Sequence, residues 1–155
     1  TVSKRMLSSF VSSYKHDFTH WHFYIPTIYG AGENPKRLIP YVINAIRNGE
    51  ELHFTAGDQT RQYVHVSEVP RMLAQAFDKN LPSGLYNIQG KETVTVKEIV
   101  TEIHHAMGKE VPDGCFGSVQ RADVGMKYLA LDGKKLHDAT GFEASIKITD
   151  VIDTY

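Results

Sequence analysis

This 155-residue chain predicts an α/β or α+β fold, because helix-like and strand-like segments alternate along it. Two observations carry that reading. Apolar residues recur at three- and four-residue spacing in several segments, the period of an amphipathic helix. Short aromatic and β-branched runs lie between them, separated by Gly, Pro and Asp. The length suffices for one domain with a real core and is too short for two comfortable ones.

In order, Met6, Leu7, Phe10, Val11 and Tyr14 mark a helix over residues 2–16. Residues 19–25, rich in aromatic and β-branched side chains, predict a buried strand, which Pro26, Gly30 and Gly32 break into a loop. Leu38, Ile39, Val42, Ile43 and Ile46 mark a second helix, stopped by Gly49. Strands are expected at 52–55 and 62–66 with a Gly-Asp turn between them, then a helix capped by Ser67 and running to about Phe77. A strand at 85–88, a short extended piece and a helix over about 97–107 follow. An irregular Gly-rich stretch at 108–125 leads to a strand at 128–131, a short helix at 133–138 and another starting near Thr149.

Composition narrows the partners. Hydrophobic residues make up 41% and charged residues 23%, as in an ordinary globular protein. Seventeen basic side chains against eighteen acidic ones create no net field, so neither nucleic acid nor an anionic membrane is an expected partner. Anion binding must therefore come from local arginines. No stretch is apolar enough to span a bilayer, and the first residues lack a signal-peptide layout. The single Cys115 fits a reducing, cytoplasmic compartment, and the lack of an initiator Met suggests a start inside a longer polypeptide. His20 and His22 share a strand face and could in principle pair on a metal, but ordinary strand histidines are the expected reading, and His104 and His105 point apart on a helix. His65 reads as packed and hydrogen-bonded, Cys115 as inert. The Gly30-x-Gly32 pair lacks the third glycine of a dinucleotide-binding turn.

Motifs then accumulate in a definite order: Ser3-Lys4; Ile25 through Gly30; Arg37-Leu38-Ile39-Pro40; Gly57-Asp58 through Arg61 with Tyr63-Val64-His65-Val66; Leu85-Tyr86-Asn87-Ile88; Arg121-Ala122-Asp123; and Asp132 to Lys135 with Gly141-Phe142. This order resembles the C-terminal half of extended short-chain dehydrogenases/reductases, the NAD-dependent epimerase/dehydratase family acting on nucleotide sugars. The resemblance implies an α/β fold: the C-terminal part of a Rossmann-like doubly wound sheet plus the small α/β substrate-binding domain. Residues 1–34 would hold the last Rossmann elements, and 35–155 mainly the substrate domain, with about 62–90 returning to the Rossmann sheet.

The resemblance also implies a chemistry. Family members use a Tyr and a Lys four residues apart; Lys4 matches the Lys, and the Tyr would stand just before Thr1. An ammonium beside a phenol favours the phenolate, which is otherwise a poor base at neutral pH. The chain is thus expected to be an inactive fragment of an NAD- or NADP-dependent nucleotide-sugar epimerase, dehydratase or reductase, a homodimer when full-length. The alternative is a non-catalytic, nucleotide-sugar-binding or regulatory member of the same fold. Lys4, Pro26, Thr27 and Ile28 would meet the cofactor. The nucleotide-diphosphate sugar would meet Thr27, Arg37, Leu38, Phe54, Ala56, Arg61, Arg121 and Tyr128. Arginines suit a diphosphate because the planar guanidinium makes paired bonds to phosphate oxygens. Thr27 stands where relatives often carry Asn, and Arg121 lies two residues before its Asp rather than three, so Gln120 competes for that role.

Overall fold

The computed structural model describes residues 2–13, 17–120 and 125–155. Helices α1 (Val2–Ser13), α2 (Leu38–Asn48), α3 (Glu68–Asp78), α4 (Val96–Ala106) and α5 (Lys134–Thr140) alternate with strands β1 (Trp21–Tyr24), β2 (Thr27–Tyr29), β3 (Thr60–His65), β4 (Gly84–Asn87), β5 (Glu92–Thr95) and β6 (Tyr128–Leu129). The class is α/β with parallel pairing in both sheets.

β1 and β4 form a two-stranded parallel sheet, in register from Trp21 opposite Gly84 to Tyr24 opposite Asn87. The second sheet is organised around β3. On one edge β5 runs antiparallel along residues 60–63. The other edge is shared end to end by two parallel strands: β6 covers Thr60 and Arg61, and β2 covers residues 63–65. Gln62 falls in the gap between them. Its buried side chain fills the gap by accepting from the Leu131 N–H at 3.2 Å and donating to the Leu131 carbonyl at 3.3 Å.

Because neighbouring residues of a strand face opposite ways, β3 separates two cores. Tyr63 joins Tyr29 and the inner faces of α2 and α4, where Ile39, Val42, Ile43, Ile99, Val100 and Ile103 are buried. Val64 faces the other way, into a cluster with Met72, Leu81, Tyr86, Ile88 and Leu136. Local sequence explains the helix limits. Gly49 ends α2 in the left-handed conformation at φ 68°, and Thr95 with Glu98 forms a capping box at the start of α4.

Five sequence expectations change, the first being that β2 forms directly after Pro26, where the sequence predicts a loop. The 19–25 strand is confined to β1 and is only half-buried, since among the described residues β1 pairs on one edge alone. Residues 52–55 form no strand, only an isolated bridge between Phe54 and Phe116. Ser67 precedes α3 without capping it; its hydroxyl bonds the His65 Nδ1 at 2.8 Å instead. The helix expected near Thr149 is two 3-10 turns, Ile148–Asp150 and Ile152–Thr154. The expected end of the first helix, at 14–16, lies outside the described residues.

Candidate nucleotide-sugar cleft

A cleft of about 800 Å³ opens where β2, α2 and β3 meet. Its wall includes Thr27, Ile28, Arg37, Leu38, Phe54 and Arg61, six of the residues singled out from sequence. Four separate segments bring them together.

The loop after β2 depends on Gly30. A Cβ there would lie 2.6 Å from Val66 Cγ1, and the backbone φ is +154°, so a side chain at this point would collide with the segment after β3. The loop then turns at Asn34, whose carboxamide accepts from the Lys36 N–H at 2.9 Å, and delivers Arg37 to the N-cap of α2. The Arg37 guanidinium donates through Nη2 to the Ile28 carbonyl at 3.1 Å and pairs through Nε with Glu33 at 3.0 Å. Arg61, on β3, donates to the Thr60 carbonyl at 2.7 Å. Two arginines from different elements thus face one cleft, with Glu33 as a counter-charge on its wall.

One end of the cleft is aromatic. Phe54 stacks on Phe116 with centroids 5.8 Å apart and meets the edge of Tyr41 at 6.3 Å. Near Phe54, Gln59 donates to the Thr55 hydroxyl at 3.3 Å. Such a surface offers a planar apolar face beside amide and hydroxyl groups, the chemistry that holds a nucleobase. Burial pushes the Tyr63 phenol up to about 12 despite the opposing pull of Arg61, so this wall residue is neutral at physiological pH.

The remaining predicted residues lie elsewhere. Ala56 is exposed and off the cleft wall, as is Tyr128, which is 64% exposed on β6. Pro26 is buried between β1 and β2. Lys4 sits on α1, one turn before Ser8, whose hydroxyl bonds the Tyr24 hydroxyl at 2.5 Å. The Lys4 side chain itself is exposed. Arg121 lies outside the described residues. Sequence reasoning missed Glu33, Tyr41 and Gln59 on the wall. Glu33 left a signal, four residues before Arg37 where an ion pair is reachable, and Gln59 lies inside the motif at 57–61.

His65, His104 and Cys115 are embedded in structure. His65 packs on the Tyr29 ring at 5.3 Å, and the buried His104 bonds the Val100 carbonyl through Nδ1 at 2.8 Å. Burial raises the Cys115 thiol above its ordinary range. No helix among the described residues is long and apolar enough to cross a membrane.

A profile of the NAD dependent epimerase/dehydratase family matches residues 1–88, more than half of the chain, and the chain belongs to that family. Among curated proteins it is 26% identical over 127 residues to the dTDP-glucose 4,6-dehydratase of Streptomyces griseus, covering 79% of this chain and 37% of that protein. Its fold matches the UDP-N-acetylglucosamine 4-epimerase of Methanobrevibacter ruminantium M1, solved with UDP-N-acetylmuramic acid, at a TM-score of 0.78 and 18% identity over 99% of this chain and 49% of that one. It also matches the NAD complex of dTDP-glucose 4,6-dehydratase from Bacillus anthracis str. Ames, at a TM-score of 0.74 and 19% identity over 87% of this chain and 44% of that one. The chain therefore spans between a third and half of the length of these relatives.

Proposed function

We propose that this chain is the nucleotide-sugar-holding part of an NAD- or NADP-dependent epimerase or dehydratase acting on the hexose of a nucleotide-diphosphate sugar. The observation that carries the reading is the convergence of Arg37 and Arg61 with Thr27, Leu38 and Phe54 on one cleft. Arg37 and Arg61 hold the diphosphate by charge-assisted hydrogen bonds. Leu38 and Phe54 flank the base, and Thr27 supplies a hydroxyl on the sugar side.

The same chain fits the edge of a cofactor site. Lys4 stands one turn before Ser8, which bonds Tyr24 at the carboxyl end of β1, and Pro26 and Thr27 follow shortly after that end. Ligands of open parallel sheets occupy this crevice. The nicotinamide cofactor, when bound, supplies hydride acceptance and return. Lys4 would bond its ribose hydroxyls and favour the ionised form of a neighbouring phenol, while Pro26, Thr27 and Ile28 would meet the cofactor and Thr27 also the sugar. α1 exposes Val2, Met6 and Leu7, and covering that stripe with its copy would give the homodimer. The buried, free Cys115 fits a reducing cytoplasm.

The test is calorimetric titration of the chain with UDP, dTDP and CDP. Arg61→Ala should weaken binding of the accepted nucleotide by about 10- to 100-fold, the equivalent of about 1.5–3 kcal/mol for a charge-assisted bond. Arg61→Lys should recover only part of the loss, because a point charge lacks the planar fork. A wild-type chain that binds none of the three, or an Arg61→Ala chain that binds as tightly as wild type, would sink the reading.

A further inference from the structure

We infer that Tyr155 is a positioning residue for the anion-binding arm of the cleft: its hydroxyl holds Glu33, and Glu33 holds the Arg37 guanidinium in the orientation that meets the ligand. The inference rests on the nucleotide-sugar reading of the cleft and assigns that reading a residue far from it in sequence.

The contacts form a continuous chain. Tyr155 Oη donates to Glu33 Oε1 at 2.9 Å across a separation of 122 residues. The other oxygen of the same carboxylate, Oε2, accepts from Arg37 Nε at 3.0 Å. Arg37 Nη2 in turn donates to the Ile28 carbonyl at 3.1 Å. From the opposite side, Arg47 Nη1 donates to the Tyr155 carbonyl at 2.6 Å and ties the end of the last 3-10 turn to α2. Tyr155 is therefore gripped at both its backbone and its hydroxyl.

Guanidinium geometry says what this accomplishes. Arginine has five N–H donors in one plane. The edge formed by Nε and Nη2 is committed to Glu33 and Ile28, which leaves the outer edge, with Nη1, for a phosphate oxygen. The Glu33 side chain is 13% exposed while that of Arg37 is 50% exposed, so the carboxylate is the fixed member and the arginine the presented one. A carboxylate so nearly buried needs donors on both oxygens to stay ordered. Without the Tyr155 hydroxyl, Oε1 loses the donor that sets the carboxylate plane, and the long Arg37 side chain regains rotamer freedom that the ligand must then remove. Tyr155 thus acts on the ligand only through Arg37.

Calorimetry with UDP, dTDP and CDP as probes, on wild type, Tyr155→Phe, Arg37→Ala and the double variant, tests this. Tyr155→Phe keeps the ring and its packing and removes one hydroxyl. It should weaken binding by about fivefold in the wild-type background and cause no further loss in the Arg37→Ala background, as expected of coupled residues. Wild-type affinity in Tyr155→Phe, or the same fold-loss with and without Arg37, would overturn the inference while leaving the cleft assignment intact. Absence of nucleotide binding by wild type would bring down both. A ligand-independent readout is the Arg37 Nε–H resonance in a 15N NMR spectrum. It should be protected from solvent exchange in wild type and lose that protection in Tyr155→Phe; equal protection in the two proteins contradicts the inference.

Discussion

The two sides of β3 are finished differently. On the Tyr63 side, α2 and α4 close over the strand and bury Ile39, Val42, Ile43, Ile99, Val100 and Ile103 almost completely. On the Val64 side a second core exists, yet α3, which packs on it, leaves large apolar groups in solvent. Leu73 is 42% exposed and Phe77 is 74% exposed. Gln75 on α3 keeps a buried side-chain oxygen without a partner among the described residues. The comparison teaches where the cleft belongs. Arg37, Leu38, Phe54 and Arg61 are mounted on the sealed side, whose packing fixes the backbone that carries them, and rigid mounting is what a binding site needs.

The sharpest way to break that contrast is to hollow the sealed core. Ile43→Ala removes a fully buried side chain from α2 and should cost about 2–5 kcal/mol in denaturant or thermal unfolding. A loss below about 1 kcal/mol would mean that α2 is not the wall we describe.

A smaller effect is expected where the two sides are stitched together. Glu68, 1% exposed at the start of α3, accepts from the N–H groups of Ser145 and Ile146, from the Ser145 hydroxyl and from Arg71. Burial opposes its ionisation, but these donors outweigh burial and hold the carboxyl below its ordinary 4.5. With the folded-state value depressed, the stabilisation is present above pH 4.5 and is lost as pH falls through the lower, folded-state range. Glu68→Gln should cost about 1.5–3 kcal/mol at pH 7, and the gap to wild type should narrow in acid. A gap that stays constant on acidification would show that the carboxylate is not ionised in the fold.

The smallest effect belongs to the open side. Phe77→Ser should change stability by no more than about 0.5 kcal/mol, because the side chain is already in solvent. A cost above about 1 kcal/mol would reveal a covering partner and remove the contrast.

Legibility from sequence followed the range of the interactions involved. α2 and its stop at Gly49 were readable because periodicity and a left-handed glycine are local signals. The motif order marked the family, and with it Arg37, Leu38, Phe54 and Arg61 as cleft residues. Local signals misled where a side chain had a better partner elsewhere. Ser67 has the chemistry of an N-cap, yet the neighbouring His65 nitrogen takes its hydroxyl. Ala56 follows Phe54 at strand spacing, but no strand forms there to place them on one wall.

By itself, the sequence determined the alternation of an α/β or α+β fold, most helix positions and the residues able to bind an anion. These depend on period, propensity and residue chemistry, all written along the chain. Tertiary structure alone decided that β2 and β6 share one edge of β3 with Gln62 bridging the gap, and that Phe54 meets Phe116. It also decided that Tyr155 closes on Glu33. Those pairings join residues distant in sequence, and no local pattern encodes which distant partner a polar or aromatic group will meet once the backbone has folded.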